Sequence, residues 1–244
     1  MKAMIFAVRN FKEIIRDPMS IILGIGGPVA PIAMLSLVSR SIPGSIDLFE
    51  IQNFAPGMIV VGLSFLALFL GMLMTTDRNT SFLIRLFATP LTGYDYLAGY
   101  FLSMLPLALL QTTACLITAV LFGLPFDSNL LAAMVALLPA AILFVSLGLL
   151  LGSVSSTSGG MSAFGMVIIA GSVFLSGAII PIDAMGGAFK EVCYLLPFVH
   201  ANNAVKASLG GDYASVINHS VWVLGYALVI FGLAAILFKG KMKN

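Results

Sequence analysis

Six apolar runs, each about long enough to cross a bilayer as one helix, divide this chain, and none carries Asp, Glu, Lys, Arg or His in its apolar centre. They cover residues 19–38, 56–76, 96–122, 129–154, 161–180 and 216–238. In hydrocarbon every backbone N–H and C=O has to be satisfied inside the segment, which makes runs of this kind helices. A soluble domain of 244 residues needs a charged surface, yet only 9% of these residues are charged and mean hydropathy is +1.09. The fold class is therefore an all-α integral membrane protein with six transmembrane helices, forming one domain over residues 1–244. The lipid bilayer is its solvent. A net charge of +2, with no basic cluster interleaved with aromatics, argues against nucleic acid as a partner.

Residues 1–17 precede the first run and read as an amphipathic helix lying in the membrane interface. Met4, Val8, Phe11 and Ile15 share one helical face, with Lys2, Arg9, Glu13 and Arg16 opposite. No small-residue cleavage site follows a compact apolar core, so this is not read as a signal peptide. The first run holds Gly24, Gly26, Gly27, Pro28 and Pro31, and is expected to be bent or closely packed. A polar loop over 39–55 follows.

Six spans put both termini on one side, and basic residues in the loops choose which. With the N-terminus inside, Lys2, Arg9, Lys12, Arg16, Arg78, Arg85, Lys239, Lys241 and Lys243 are cytoplasmic, whereas Arg40, Lys190 and Lys206 are outside. Nine against three, of the 12 Lys and Arg, predicts cytoplasmic N- and C-termini for a multi-pass protein of the cell membrane.

Between the second and third spans lies a polar island, residues 77–96. Phe82 to Ala88 can form about two helical turns, and Pro90 stops them because the residue before a proline resists the α region. Thr92 and Asp95 have the spacing of a capping box for the next helix. A short helix carrying Arg85 at the membrane face suits contact with a partner. Arg85, Leu86, Ala88, Thr89 and Pro90, preceded by Asp77 and Arg78, resemble the cytoplasmic coupling segment of type-2 ABC exporter permeases. Phe87 replaces a usual Leu, Ser81-Phe82 stand where Gly-Thr is common, and Asn79, Thr80 and Ile84 replace charged residues. The resemblance implies that Phe82, Leu83, Arg85, Leu86, Thr89 and Pro90 meet an ATPase.

Residues 181–209 carry the second part of that resemblance. Ser176, Gly177, Pro181, Tyr194, Pro197, Ala201, Ala204 and Lys206 match the family's section before its last span, with Leu196 in place of an Asn and His200 in place of an aromatic. In the family this section forms short helices that dip back from the outer side, which implies an outer re-entrant gate of Ser176, Gly177, Pro181, Tyr194, Pro197, His200 and Lys206. Its many apolar residues, among them Met185, Phe189, Val192 and Leu195, are poorly suited to a loop in water. Gly186-Gly187 and Pro197 should divide it into two short helices.

What the chain lacks narrows the mechanism. Ion-coupled transporters usually keep ionisable groups at membrane depth, and these spans do not. No Gly-x-x-x-x-Gly-Lys-Ser/Thr phosphate loop is present, so the chain is not itself expected to be an enzyme. His200 and His219 lack the spacing of a zinc hydrolase, and no metal site or catalytic residue is assigned. Cys115 lies in the third span and Cys193 in the 181–209 section, so no disulfide between them is expected. Gln111, Thr112 and Thr113 are candidate pathway residues, since their side chains need polar partners in hydrocarbon. The resemblance then implies the permease of an ATP-driven exporter of hydrophobic or amphipathic compounds, drugs or antimicrobial peptides. ATP and Mg would be bound by two copies of a separate ATPase, and the second permease would be a copy or a paralogue. Export of a lipid-linked glycan and a non-transporting membrane scaffold are the alternatives.

Overall fold

The computed structural model describes residues 2–41, 50–79 and 92–241. Every regular element among them is helical. Helix α1 (Lys2–Arg16) leads into a short α2 (Pro18–Ile21), a π-helical turn (Ile22–Gly26) and α3 (Gly27–Ser41). Then come α4 (Ile51–Asn79), α5 (Gly93–Leu121), α6 (Ser128–Val154) and α7 (Ser158–Leu175). Three short helices follow, α8 (Ile182–Met185), α9 (Gly187–Leu195) and α10 (Pro197–Leu209), before α11 (Tyr213–Lys241). Among the described residues, six segments are long and apolar enough to cross a membrane: Ile22–Ser41, Ile51–Arg78, Gly93–Leu121, Ser128–Val154, Ser158–Leu175 and Tyr213–Lys239. This is a six-span membrane protein, as its apolar runs predict.

Local chemistry starts several of these helices. Thr92 Oγ1 accepts the Asp95 N–H while the Asp95 carboxylate accepts the Thr92 N–H, so the expected capping box opens α5. Asp127 caps α6 through the Asn129 N–H at 3.0 Å, and Thr157 caps α7 through the Gly160 N–H at 3.2 Å. Each such cap is worth about 1 kcal/mol. Within the spans, hydroxyls turn back onto their own helices: Ser36 donates to the Ile32 carbonyl, Thr75 to Gly71 and Ser146 to Ile142. A hydroxyl in hydrocarbon thereby needs no partner helix.

Three sequence boundaries are corrected. The second span starts at Ile51, inside the expected 39–55 loop, because Ile51, Phe54 and Ala55 join the apolar face of α4. The fifth ends at Leu175, because Ser176 and Gly177 turn the chain before Ile180. Residues 181–209 form three helices rather than two: Gly186 and Gly187 both have positive φ, +64° and +59°, which separates α8 from α9, and Pro197 then opens α10. The first span does carry an irregularity: its π-helical turn sits just before Pro28 and Pro31.

Of the six spans, α4 and α6 are the most enclosed, and α5, α7, α10 and α11 pack around them. The buried core runs through Leu63, Leu70, Met104, Leu107, Phe144 and Ala227. Helices α3, α7 and α11 leave most of their apolar side chains outward, as faces for lipid or another helix require. Helix α1 lies along α5, but not on the face that its amphipathic pattern suggests. Phe6, Ala7, Asn10 and Ile14 are buried, whereas Met4, Val8 and Ile15 point outward, so α1 is apolar on two sides.

Candidate functional site

Among the described residues, the candidate gate residues gather at one end of the bundle. The turn after α7, the short helices α8 and α9, and the buried helix α10 surround a cavity of about 120 Å³. Ser176, Gly177, Pro181, Tyr194 and Lys206 all line it, joined by Ile182, Asp183, Val199, Asn202 and Asn203. Helix α10 forms its inner wall and packs against α4, α6, α7 and α11, with Phe198, Val199, Ala201, Ala204 and Val205 buried. A helix of 13 residues is too short to span, and its enclosure by four others satisfies the condition for backbone that enters without crossing.

Polar contacts hold this end together. Asn202 Nδ2 donates to the Ser176 carbonyl at 2.8 Å, tying α10 to the end of α7. The Lys190 ammonium lies 2.6 Å from Asp183 and the Tyr194 hydroxyl donates to the same carboxylate at 3.4 Å, joining α8 to α9. That hydrogen bond from Lys190 holds the Asp183 carboxyl below its ordinary value and raises Lys190. Both groups are well exposed, so the pair orders the surface more than it stabilises the fold. Lys206 is pushed the other way, downward, by its partial burial beside the cavity.

Pro197 and His200 do not line the cavity but act beside it. Pro197 occupies the first turn of α10, where a missing N–H costs nothing. His200 Nε2 lies 2.8 Å from the Tyr194 carbonyl and Nδ1 lies 2.8 Å from Nδ1 of His219 on α11. The Trp222 indole stacks on the His200 ring, 5.3 Å between centroids and 5° between planes. His200 thus links α9, α10 and α11.

The opposite end of α4, where the chain leaves for residues 80–91, is also tied on several sides. Arg78 donates to the carbonyls of Gly152, at 2.7 Å, and of Ser155, at 3.1 Å, at the C-terminus of α6. Its guanidinium lies 5.9 Å from the Phe238 ring centre. Tyr100 donates to the Asp77 carboxylate, and Tyr96 donates to Tyr100 at 3.1 Å. Phe6 of α1 stacks on Tyr96 and meets Tyr100 edge-on. Gly99 makes room for it, since a Cβ there would fall 2.2 Å from Phe6 Cδ1. Phe82, Leu83, Arg85, Leu86, Thr89 and Pro90 lie outside the described residues.

The three candidate pathway residues share α5 but not an environment. Thr112 is buried and donates to its own Leu109 carbonyl, and Thr113 is half-buried. Gln111 is fully buried and, among the described residues, neither amide atom has a hydrogen-bond partner; its Nε2 occupies the space beside Gly62. Sequence reasoning overlooked Asn202, Asn203 and Asp183 at the cavity, and Trp222 beside His200. The adjacent Asn202 and Asn203, within an otherwise apolar stretch, were the available signal.

Comparison with known proteins agrees with this architecture. A family model described as "ABC-2 type transporter" matches residues 2–209. The chain is 26% identical over 218 residues to ABC transporter G family member 20 of Dictyostelium discoideum, covering 86% of this chain and 30% of that protein. It is also 26% identical to Nodulation protein J of Rhizobium leguminosarum bv. viciae over 155 residues, 63% of this chain and 60% of the relative. A Nodulation protein J of Rhizobium meliloti (strain 1021) matches over 115 residues, again at 26%. The chain therefore spans less than two thirds of each of these relatives. The family match runs from α1 through five candidate spans to the end of the buried helix α10, and on that ground the chain belongs to the ABC-2 type transporter family as a membrane permease domain.

Proposed function

We propose that this permease exports hydrophobic or amphipathic compounds, driven by two copies of a separate ABC ATPase and paired with a second permease, either a copy or a paralogue. Permeases of this family generally pair with ABC ATPase subunits, in which ATP binding resides. The observation that carries the reading is the clamp at the end of α4. Arg78 is bonded to α6 and its neighbour Asp77 to α5, immediately before the 80–91 segment. A push on that segment is then delivered to α4, α5 and α6 together rather than absorbed at a loose joint. The segment is cytoplasmic in this reading, with both termini, and the α8–α10 cavity lies outside as the gate.

The outward apolar faces of α7 and α11, which include Phe164, Val167, Ile217 and Leu228, favour lipid and a second permease as neighbours. Drugs or antimicrobial peptides are the leading substrates, because the spans offer greasy side chains and few polar ones.

The test is copurification with a separate ABC ATPase subunit, followed by ATP hydrolysis against a panel of amphiphiles. Arg85→Glu should reach the membrane at wild-type levels yet lose ATPase copurification or amphiphile-stimulated hydrolysis. A desolvated interfacial ion pair at Arg85 would be worth ~2–5 kcal/mol. Unchanged coupling in this variant would move the contact to Phe82, Leu83 and Leu86. A wild-type protein that captures no ATPase would instead favour the scaffold reading.

A further inference from the structure

The cavity between Ser176 and Lys206 contains polar atoms that the protein itself does not satisfy. Ser176 is fully buried and its Oγ has no hydrogen-bond partner among the described residues. Asn202 is 1% exposed, and its Oδ1 is likewise unpartnered. The amide is not free to rotate this away, because Nδ2 is committed to the Ser176 carbonyl at 2.8 Å. Both residues line the cavity. Leaving such groups unpaired costs the protein their full desolvation. A polar space of about 120 Å³ is several times the roughly 10–15 Å³ that one water requires.

The functional groups select the occupant. A metal cation is disfavoured because the Lys206 ammonium shares the cavity and no cluster of three or more His, Cys, Asp or Glu is found among the described residues. A simple anion would meet the Asn202 carbonyl oxygen and the Asp183 carboxylate, which only accept hydrogen bonds at neutral pH. Lys206 only donates, Asn202 Oδ1 only accepts, and Ser176 Oγ does both. A group that also does both, at more than one position, satisfies all three. Adjacent hydroxyls have that property. Tyr194 adds an aromatic wall against which the carbon skeleton of such a group can lie.

We propose that this cavity binds a small polyhydroxyl group, of the glycerol or single-sugar kind, with Ser176, Asn202 and Lys206 as its hydrogen-bonding residues. One hydroxyl donates to Asn202 Oδ1, a neighbouring one accepts from Lys206, and Ser176 bonds either. The source is a free polyol or the head group of a lipid. Its role as an outer contact of the exporter rests on the reading above, whereas the binding itself does not.

The sequence contains one tryptophan, Trp222, stacked on His200, whose Nε2 contacts the backbone of the cavity residue Tyr194. The full-length chain, purified in an amine-oxide detergent and placed in phosphatidylcholine nanodiscs, is titrated with glucose while Trp222 emission and thermal stability are followed. A parallel set of nanodiscs contains a glucosyl diacylglycerol. No ATPase or ATP is needed, so failure here is distinguishable from failure of the export reading.

A saturable response to glucose supports a free polyol, and a response to the glycolipid alone supports a head group. Ser176→Ala should then raise the half-saturating concentration roughly five- to tenfold, as expected for one lost hydrogen bond. Its own melting temperature should be unchanged or higher, because the hydroxyl it removes has no protein partner. Lys206→Met should weaken binding similarly. The proposal is overturned if neither readout responds to either probe, or if Ser176→Ala and Lys206→Met both bind as wild type. A saturable response to sodium chloride but not to the sugars would make this an ion site and overturn it equally.

Discussion

His200 and His219 face each other through Nδ1, 2.8 Å apart, across the junction of α10 and α11. A carbonyl can only accept, so His200 Nε2 carries the hydrogen that it directs at Tyr194. In the neutral pair His219 therefore donates to His200. That one hydrogen bond ties α10 to α11.

The junction is testable at a fixed pH. Tyr194 on α9 and Trp222 on α11 pack on the His200 ring, and Tyr226 lies beside Trp222. His219→Phe keeps an aromatic on α11 but removes the hydrogen bond, so Trp222 emission should change and proteolysis within residues 192–203 should accelerate. Wild-type emission and proteolysis in His219→Phe would show that this contact does not hold the junction.

The sidedness of the bundle gives a second prediction. In a background lacking Cys115 and Cys193, which are both free and buried, single cysteines at Met185 and Leu195 should react with an impermeant thiol reagent in intact cells. Both positions are exposed on α8 and α9. Cysteines at Arg16 and Lys239 should react only after permeabilisation. Labelling at position 16 from outside would invert the topology and place the cavity in the cytoplasm.

How much of this was legible in the chain depends on sequence distance. The six spans were, because burial in lipid imposes one composition along a whole helix. So was the start of α5, because Thr92 and Asp95 are three residues apart and cap each other locally. The motif singled out Ser176, Gly177, Pro181, Tyr194 and Lys206, which line one cavity, but their chemistry was not legible. Ser176 meets Asn202 across 26 positions and His200 meets His219 across 19, and no local pattern encodes either pairing. The face of α1 that docks on α5 was not legible for a related reason. Its amphipathic pattern reports the side turned from water, whereas Phe6 is drawn to Tyr96 and Tyr100, a contact available only once α5 is in place.

That contact is testable by itself. Gly99→Ala would drive a methyl to within 2.2 Å of Phe6 Cδ1, so α1 has to shift or leave α5. Overpacking of this kind costs about 1–3 kcal/mol. Melting temperature in detergent should fall by several degrees, at roughly 2–4 °C per kcal/mol for a chain of this size. Combining it with Phe6→Ala should be much less damaging than the sum of the two single changes, since Phe6→Ala removes the ring that the new methyl strikes. Additive losses would show that Gly99 matters for something other than the docking of α1.

Arg78 provides the strictest test of whether movement of the 80–91 segment would be passed into the bundle. Its two outer nitrogens reach the carbonyls of Gly152, Ser153 and Ser155, where α6 ends and its final carbonyls have no partner within the helix. A cation at that position also opposes the negative end of the helix dipole. Arg78→Ala removes the donors and leaves the carbonyls against apolar neighbours, for a loss of about 1.5–3 kcal/mol, typical of hydrogen bonds to a charged group. Arg78→Lys keeps the charge but not the planar fork, so it should recover part of the stability while bridging fewer carbonyls. If the clamp transmits movement, both variants should still copurify with the ATPase and hydrolyse ATP at the basal rate, but lose stimulation by amphiphiles. The loss should be larger in Arg78→Ala. The two readouts separate clearly: reduced melting temperature with normal stimulation would make Arg78 a structural cap only. Full stimulation in both variants would remove α6 from the transmission path and leave the Asp77–Tyr100 contact with α5 to carry it.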